Sequence, residues 1–312
     1  MRGGDFDLKR VVSISLGSSK RDHRVNIELL GEQFEISRVG VDGSFEQALN
    51  KLKLLDGQVD AIGLGGIDVY VYAGTQRYTF KDGLKLMEAV KTTPVVDGSG
   101  LKNTLERETI NYLLRNTNLI KPDTRVLMVS AVDRFGMAES FAAAGCDLTF
   151  GDLIFAAGIP YPIKTLSELE QMAAKLLPEM TQLPFQMLYP TGDKQESKDE
   201  AKAEKFADYY HNADIIAGDF HFIKRFAPDK LDKQIIITNT TTSADVEYLR
   251  QIGVSRLITT TPVFAGRSFG TNVIEGVLVV LSGKSPENTT PEDYLNIIEQ
   301  LNFKPQIIDL IS

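Results

Sequence analysis

Arg125–Ala131 reads RVLMVSA, and the rhythm of elements that begins with it decides the fold. An apolar run of this length, partly β-branched, predicts a buried strand. Phe135–Ala144 comes next as a helix closed by Gly145, and Asp147–Phe150 is the second strand. Further on, Leu166–Leu177 has helical spacing, and Lys194–Asp208 (KQESKDEAKAEKFAD) reads as a solvated, charged helix. Strands are expected at Asp214–Ala217, Gln234–Thr238 and Arg256–Thr260, with a helix at Ala244–Ile252 between the last two, and Asn272–Leu281 closes the run. Strands alternating with helices predict βαβ units and a largely parallel sheet. The expected fold class is therefore α/β with two domains, the C-terminal one a Rossmann-like doubly wound sheet.

Toward the N-terminus, Arg10–Leu16 (RVVSISL) is a strand. Arg24–Leu30 and Gln33–Val41 are two more, turning at Gly31-Glu32. Phe45–Leu55 carries Phe45, Ala48, Leu49, Leu52 and Leu55 at helical spacing. Asp60–Leu64 and Thr93–Val96 are short strands, Leu84–Val90 a helix, and Leu101–Arg115 a longer one. The polar stretch Asn116–Asp123, with its proline, separates the two domains. This gives residues 1–120 as an N-terminal α/β domain and 121–285 as the Rossmann-like domain. The segment 286–312 is expected to return to the first.

The chain has 312 residues and a formal net charge of -8, with a pI of about 5.1. That balance argues against nucleic acid as a partner, while leaving room for a local cationic pocket and a small anionic ligand. Cys146 is the one cysteine, so neither an intramolecular disulfide nor a Cys-based zinc site is available. With three histidines spread along the chain, no metal site is expected. No secretory segment is read at the start, and Val273–Leu281 is far too short to span a bilayer. The expected location is the cytoplasm, with no membrane partner; a homo-oligomer is compatible with all of this.

Ligands of doubly wound sheets bind outside the carboxyl ends of the strands. The first such turn of the second domain is Ser130–Ala138. On the G-x-G-x-x-G spacing its three positions hold Ala131, Asp133 and Gly136. Asp152 lies 21 residues after Ala131, where an acidic residue would hold an adenine ribose. Asp133, Arg134, Gly136 and Asp152 are thus the candidate residues for NAD or NADP. Asp152 also suits a simple turn cap.

Other loops carry anion-binding chemistry. Gly17–Arg24 combines hydroxyls with cations, so Ser18, Ser19 and Lys20 are candidates for a substrate carboxylate or phosphate. Asp97–Thr104 places Ser99 and Lys102 at a helix N-terminus, where Ser99 also suits a cap. Gly266–Asn272 is a glycine-bearing loop with Arg267. Asp219 and His221 would share one face if their strand continued, and such pairs move protons. Lys102, His221 and Asp219 are the candidate catalytic groups.

The pieces SLGSSKRDHR, GLGGID, VDGSGLKNTLER, VDRFGMAE, GDFHFI, ITNTTT, TTTP and GRSFGTN together resemble a bacterial family described as quinate 5-dehydrogenase or quinate/shikimate dehydrogenase-like. The likeness runs from about Arg10 to Gly283. It implies an N-terminal substrate domain, a C-terminal NAD(P) domain and oxidation of a ring hydroxyl. Ile237–Thr241 resembles the I-N-(A/T)-T element of shikimate dehydrogenases, which would bring Asn239 and Thr240 near a nicotinamide. Two functions therefore stand side by side: an NAD(P)-dependent dehydrogenase of a small hydroxy acid, or a non-redox two-domain module closing on a small carboxylate or phosphate.

Overall fold

The structure is a computed structural model that describes residues 8–188, 198–264 and 267–311. In chain order the elements of the first half are β1 (Lys9–Ser15), β2 (His23–Leu29), β3 (Glu32–Gly40), α1 (Phe45–Leu55), β4 (Ala61–Gly65), β5 (Tyr70–Ala73), β6 (Gln76–Thr79), α2 (Lys81–Met87), β7 (Val95–Val96) and α3 (Ser99–Asn116). Then come β8 (Arg125–Met128), α4 (Phe135–Ala143), β9 (Asp147–Phe150), α5 (Leu166–Met180), α6 (Phe185–Leu188), α7 (Glu200–Lys205), α8 (Ala207–His211), β10 (Ile215–Ala217), α9 (Phe220–Phe226), β11 (Ile235–Thr238) and α10 (Ser243–Gln251). The last part holds β12 (Arg256–Thr259), β13 (Val263–Phe264), β14 (Arg267–Ser268), α11 (Thr271–Ser282), α12 (Pro291–Gln300) and β15 (Gln306–Asp309).

Two mostly parallel sheets organise the chain into two α/β units. The first has the order β2-β3-β1-β4-β7, with β2 antiparallel to β3. The β2–β3 loop is the two residues Leu30 and Gly31, both at positive φ (+50° and +84°). That geometry matches the right-handed strand twist of a tight hairpin. The second sheet runs β15-β12-β11-β10-β8-β9, parallel except for β15. Counting its parallel strands along the chain gives 2-1-3-4-5, the flavodoxin-like doubly wound order. The dinucleotide fold has 3-2-1-4-5-6, so the expected Rossmann-like sheet is corrected at the level of strand order.

Burial alternates along the strands, as a period of two requires. Val11 faces a core shared with α11 and α12, while Val12 and Ile14 face one shared with α1. Val126 and Met128 pack against α4 and α5, and Leu127 against the aromatic cluster of Phe155, Phe206, Tyr210 and Phe226. The long helix α3 belongs to both units. Its Leu101 and Leu105 sit in the first core, and its Ile110 and Leu113 in the second.

Several segments differ from expectation. Asn272–Leu281 does not close the second sheet: it is α11, packed on β1 and β4 of the first. The expected boundary at 285 therefore lies too late, because the chain is back in the first core by Phe269. Within the terminal segment α12 joins that same core, while β15 pairs with β12 of the second sheet. After β10 the chain does not continue as a strand, so Asp219 and His221 lie at the start of α9. The β5–β6 hairpin forms in a stretch for which no element is expected. Part of the charged segment 194–208 falls outside the described residues; the rest forms α7 and α8. No helix among the described residues is long and apolar enough to cross a membrane.

Candidate functional site

The carboxyl edges of the two sheets face one another across a cleft of about 1070 Å³. The first unit supplies Ser13 and Ser15 of β1, Gly65–Asp68 after β4, and the Lys20–His23 segment. The second supplies the ends of β8, β9, β10 and β11. Ligand sites of doubly wound sheets form at such edges.

The floor is a charged cluster built by both units. Lys102, in the first turn of α3, places Nζ 3.5 Å from Asp68 and 3.9 Å from Asp133. Arg134 pairs with Glu106 of α3, and its Nη2 lies 3.2 Å from Asp219. Asp219 accepts in addition from Asn239 Nδ2 at 3.1 Å and from the His221 amide at 2.9 Å. Arg21 crosses the cleft to His221 Nε2 at 2.8 Å. A guanidinium can only donate, so that nitrogen accepts and the imidazole proton sits on Nδ1. Three buried atoms here have no hydrogen-bond partner: Glu106 Oε2, Arg134 Nε and His221 Nδ1. Buried polar atoms are rarely left so, and a ligand or water would supply what they lack.

The cluster fixes its own charges. Burial works against the Lys102 ammonium, but Asp68 and Asp133 outweigh it and hold its pKa above the ordinary lysine value. Burial likewise opposes Arg134, and Glu106, Asp133 and Asp219 reverse the effect. Burial raises the Glu106 carboxyl well above its usual range despite Arg134 and Lys102. For Asp219 the burial cost is overcome by His221 and Arg134, and its pKa is lowered. Lys102 thus stands in the cleft floor as a positive anchor between two carboxylates. Asp219 caps α9, its side chain accepting from the His221 amide.

Of the residues expected at a site, Lys20, Lys102, Asp133, Arg134, Asp152, Asp219, His221, Asn239 and Thr240 line the cleft. Ser18, Ser19, Ser99 and Gly136 do not. Arg267 lies in β14, and its side chain falls outside the described residues. Asp68, Glu106 and Arg21 join the site without having been expected there. Glu106 comes one helical turn after Lys102, which puts both on one face of α3, and that spacing is a readable signal. No cluster of three or more His, Cys, Asp or Glu placed to hold a metal occurs among the described residues.

Two of the loops read as anion sites, and the turn after β8, are occupied by the protein's own carboxylates. Asp42 takes the Ser19 amide and hydroxyl at 2.7 and 2.8 Å. Asp97 takes the Ser99 amide and hydroxyl at 3.0 and 2.5 Å, and Glu275 of α11 takes the Gly98 amide at 2.7 Å. Asp152 takes the amides of Ala131 and Val132, both at 3.0 Å. These three turns therefore present to side chains the N–H groups that a phosphate would need.

A family model described as a domain of unknown function, DUF8754, matches residues 100–310. The chain belongs to the DUF8754 family. A second model, the domain of unknown function DUF8753, matches residues 10–97. The two matches meet between β7 and α3. No curated protein matches the chain. Solved structures similar to it include a sugar ABC transport system substrate-binding protein from Bordetella parapertussis, at 11% identity and TM-score 0.40, covering 96% of this chain and 89% of that one. A galactofuranose binding protein has 14% identity and TM-score 0.36, with 94% and 98% covered. A hetero-hexameric glutamate dehydrogenase from Thermus thermophilus has 11% identity and TM-score 0.40, with 95% and 74% covered. At these scores the likeness is one of general α/β layout.

The expected oxidoreductase with an NAD(P) site is corrected. Within the chain the reason is physical. Asp152 fills the turn that would have to receive a pyrophosphate, and so is not left to hold a ribose. Gly136, a candidate for the cofactor turn, seats α4 against α3: a Cβ there would lie 2.6 Å from the Asn103 carbonyl oxygen.

Proposed function

We propose that this chain is a non-redox, two-unit module that binds one small polar molecule in the cleft between its sheets. The observation that carries the reading is the charged floor, to which both units contribute and in which three buried polar atoms lack partners. A molecule seated there touches both units at once, as in hinge closure around a ligand. Lys102 and Arg134 are already balanced by Asp68, Asp133, Glu106 and Asp219, so the floor itself favours hydroxyl groups, which donate to carboxylates and accept from cations. Arg21 meets an imidazole rather than a carboxylate, and it is the position for the ligand's single anionic group, a carboxylate or phosphate.

The test is a thermal-shift screen with calorimetric follow-up, comparing gluconate and glucose 6-phosphate with glucose. The acids should stabilise the protein and the neutral sugar should do so less. Arg21→Ala should weaken acid binding by about 1.5–3 kcal/mol, the worth of a charge-assisted hydrogen bond. No stabilisation by any small hydroxylated acid at millimolar concentration would sink the reading.

A further inference from the structure

The same cleft has a second end of opposite chemistry. Helix α5 carries two apolar stripes where one would suffice to seat it. Leu169, Ala173 and Leu177 are buried in the second unit's core. Met172, Leu176 and Met180, at spacings of four, form a neighbouring stripe that lines the cleft. Leu176 is left 41% exposed by this placement. Leu153 after β9, Leu188 of α6 and Phe80 before α2 line the same cleft, and all three belong to or pack on the core that holds Leu169, Ala173 and Leu177. Leu153 follows the edge strand β9 and α5 comes after it, whereas the charged floor is built from residues that follow β8, β10 and β11 together with α3. Flexible Met and Leu side chains make an adaptable apolar wall.

From this we infer that the ligand is amphipathic: a hydroxylated acid head on the charged floor and an unbranched apolar tail along α5. The inference rests on the proposed polar-ligand reading and names the class of molecule that fills the remainder. A single sugar or short hydroxy acid would leave that remainder wet against apolar walls. A cleft of about 1070 Å³ lies at the large end for ligand sites. One molecule with both characters satisfies both ends, because the cavity is continuous.

The experiment is a chain-length series on the full chain by calorimetry: lactate, 2-hydroxyhexanoate and 2-hydroxydecanoate, all kept below their aggregation concentrations. Each methylene placed on the apolar wall should tighten binding roughly fourfold, from the transfer energy of a buried CH₂. Leu176→Asp and Met180→Asp lie on the cleft wall outside the core, and each should abolish the chain-length gain while leaving lactate binding unchanged. Equal affinity for all three acids overturns the amphipathic ligand and leaves the polar-ligand reading intact. A chain-length gain that persists in both variants also overturns it, since the tail would then lie elsewhere. If none of the three binds, and the screen of sugar acids fails too, both readings fall together.

Discussion

The loop after β1 and the turn after β8 use one device in two settings. In each, a carboxylate from the neighbouring strand reaches over and takes the turn's backbone amides: Asp42, after β3, holds Ser19, and Asp152, after β9, holds Ala131 and Val132. The surroundings then set opposite electrostatics. Asp42 is exposed, the Ser19 amide and hydroxyl dominate, and its pKa falls below the usual carboxylate value. Asp152 is packed into the cleft wall, burial dominates, and its carboxyl is pushed up to about 6. The same hydrogen bonds therefore stabilise a charge at the surface and fail to offset its desolvation in the wall. The first loop is a solvated scaffold for Lys20 and Arg21. The second is part of a buried assembly that depends on every member.

Glu106 gives the sharpest way to break that contrast. Its carboxylate covers Arg134 at the buried turn, and the exposed loop has no counterpart. Glu106→Leu should cost about 3–5 kcal/mol in urea unfolding, because it takes from a buried guanidinium its fully buried counter-charge and leaves only the partly exposed Asp133 and Asp219. A cost below about 1 kcal/mol would show that Arg134 finds water, and that the turn is less sealed than its contacts imply. Next in size is Asp152→Ala, which leaves two amides without acceptors. A loss of about 2 kcal/mol is expected, by the same measurement.

The pH dependence sharpens the contrast further. The folded-state pKa of Asp152 is raised, so its contribution is complete below the ordinary carboxyl value near 4 and is lost as pH rises through about 6. Glu275, buried beside Asp97 and the α3 N-terminus, is pushed up to about 8 and acts with the same sign at higher pH. Stability should therefore decline from pH 5 to pH 9. Asp152→Asn should remove roughly 1–2 kcal/mol of that decline between pH 5 and 7, and Glu275→Gln should flatten the upper part. Melting curves that rise steadily across this range would contradict both assignments.

Much of the layout is visible in the chain as written. RVLMVSA and RVVSISL have the composition of buried strands: β1 lies at the centre of its sheet, and β8 is an interior strand of the other, between β10 and β9. Phe45–Leu55 is legible because its apolar residues recur at helical spacing, and α1 has those bounds. Strand order is another matter, since it depends on which strands pair across distances that local pattern does not encode. The α11 segment shows this. TNVIEGVLVV is apolar enough to pack on either sheet, and only tertiary contact assigns it to the first. The site is half legible. Loops at strand ends can be found by the rule for doubly wound sheets, and Lys102, Asp133, Arg134 and His221 come from them. Whether a loop's amides are available cannot be read, because Asp42, Asp152 and Glu275 arrive from 23, 21 and 177 residues away.

The smallest effect is expected at Asp42. Asparagine there keeps an oxygen for the Ser19 amide, and its NH₂ can donate to the Ser19 hydroxyl, which accepts as readily as it donates. What is lost is the charge, in a position open to water where interaction with Lys20 and Arg38 is screened. Asp42→Asn should therefore move the melting temperature at pH 7 by less than about 2 °C. Its signature lies in acid. The folded-state pKa is lowered, so the wild-type contribution is present above the ordinary aspartate value and is lost as pH falls below it. The variant should accordingly track the wild type at pH 7 and lose less on acidification from pH 5 to pH 3. Asp152→Asn should do the reverse, differing most as the wild type is brought from pH 5 to pH 7. If the two asparagine variants gave superimposable pH–stability curves, burial would not be what separates the two turns. The shared hydrogen-bonding device would then have to explain both.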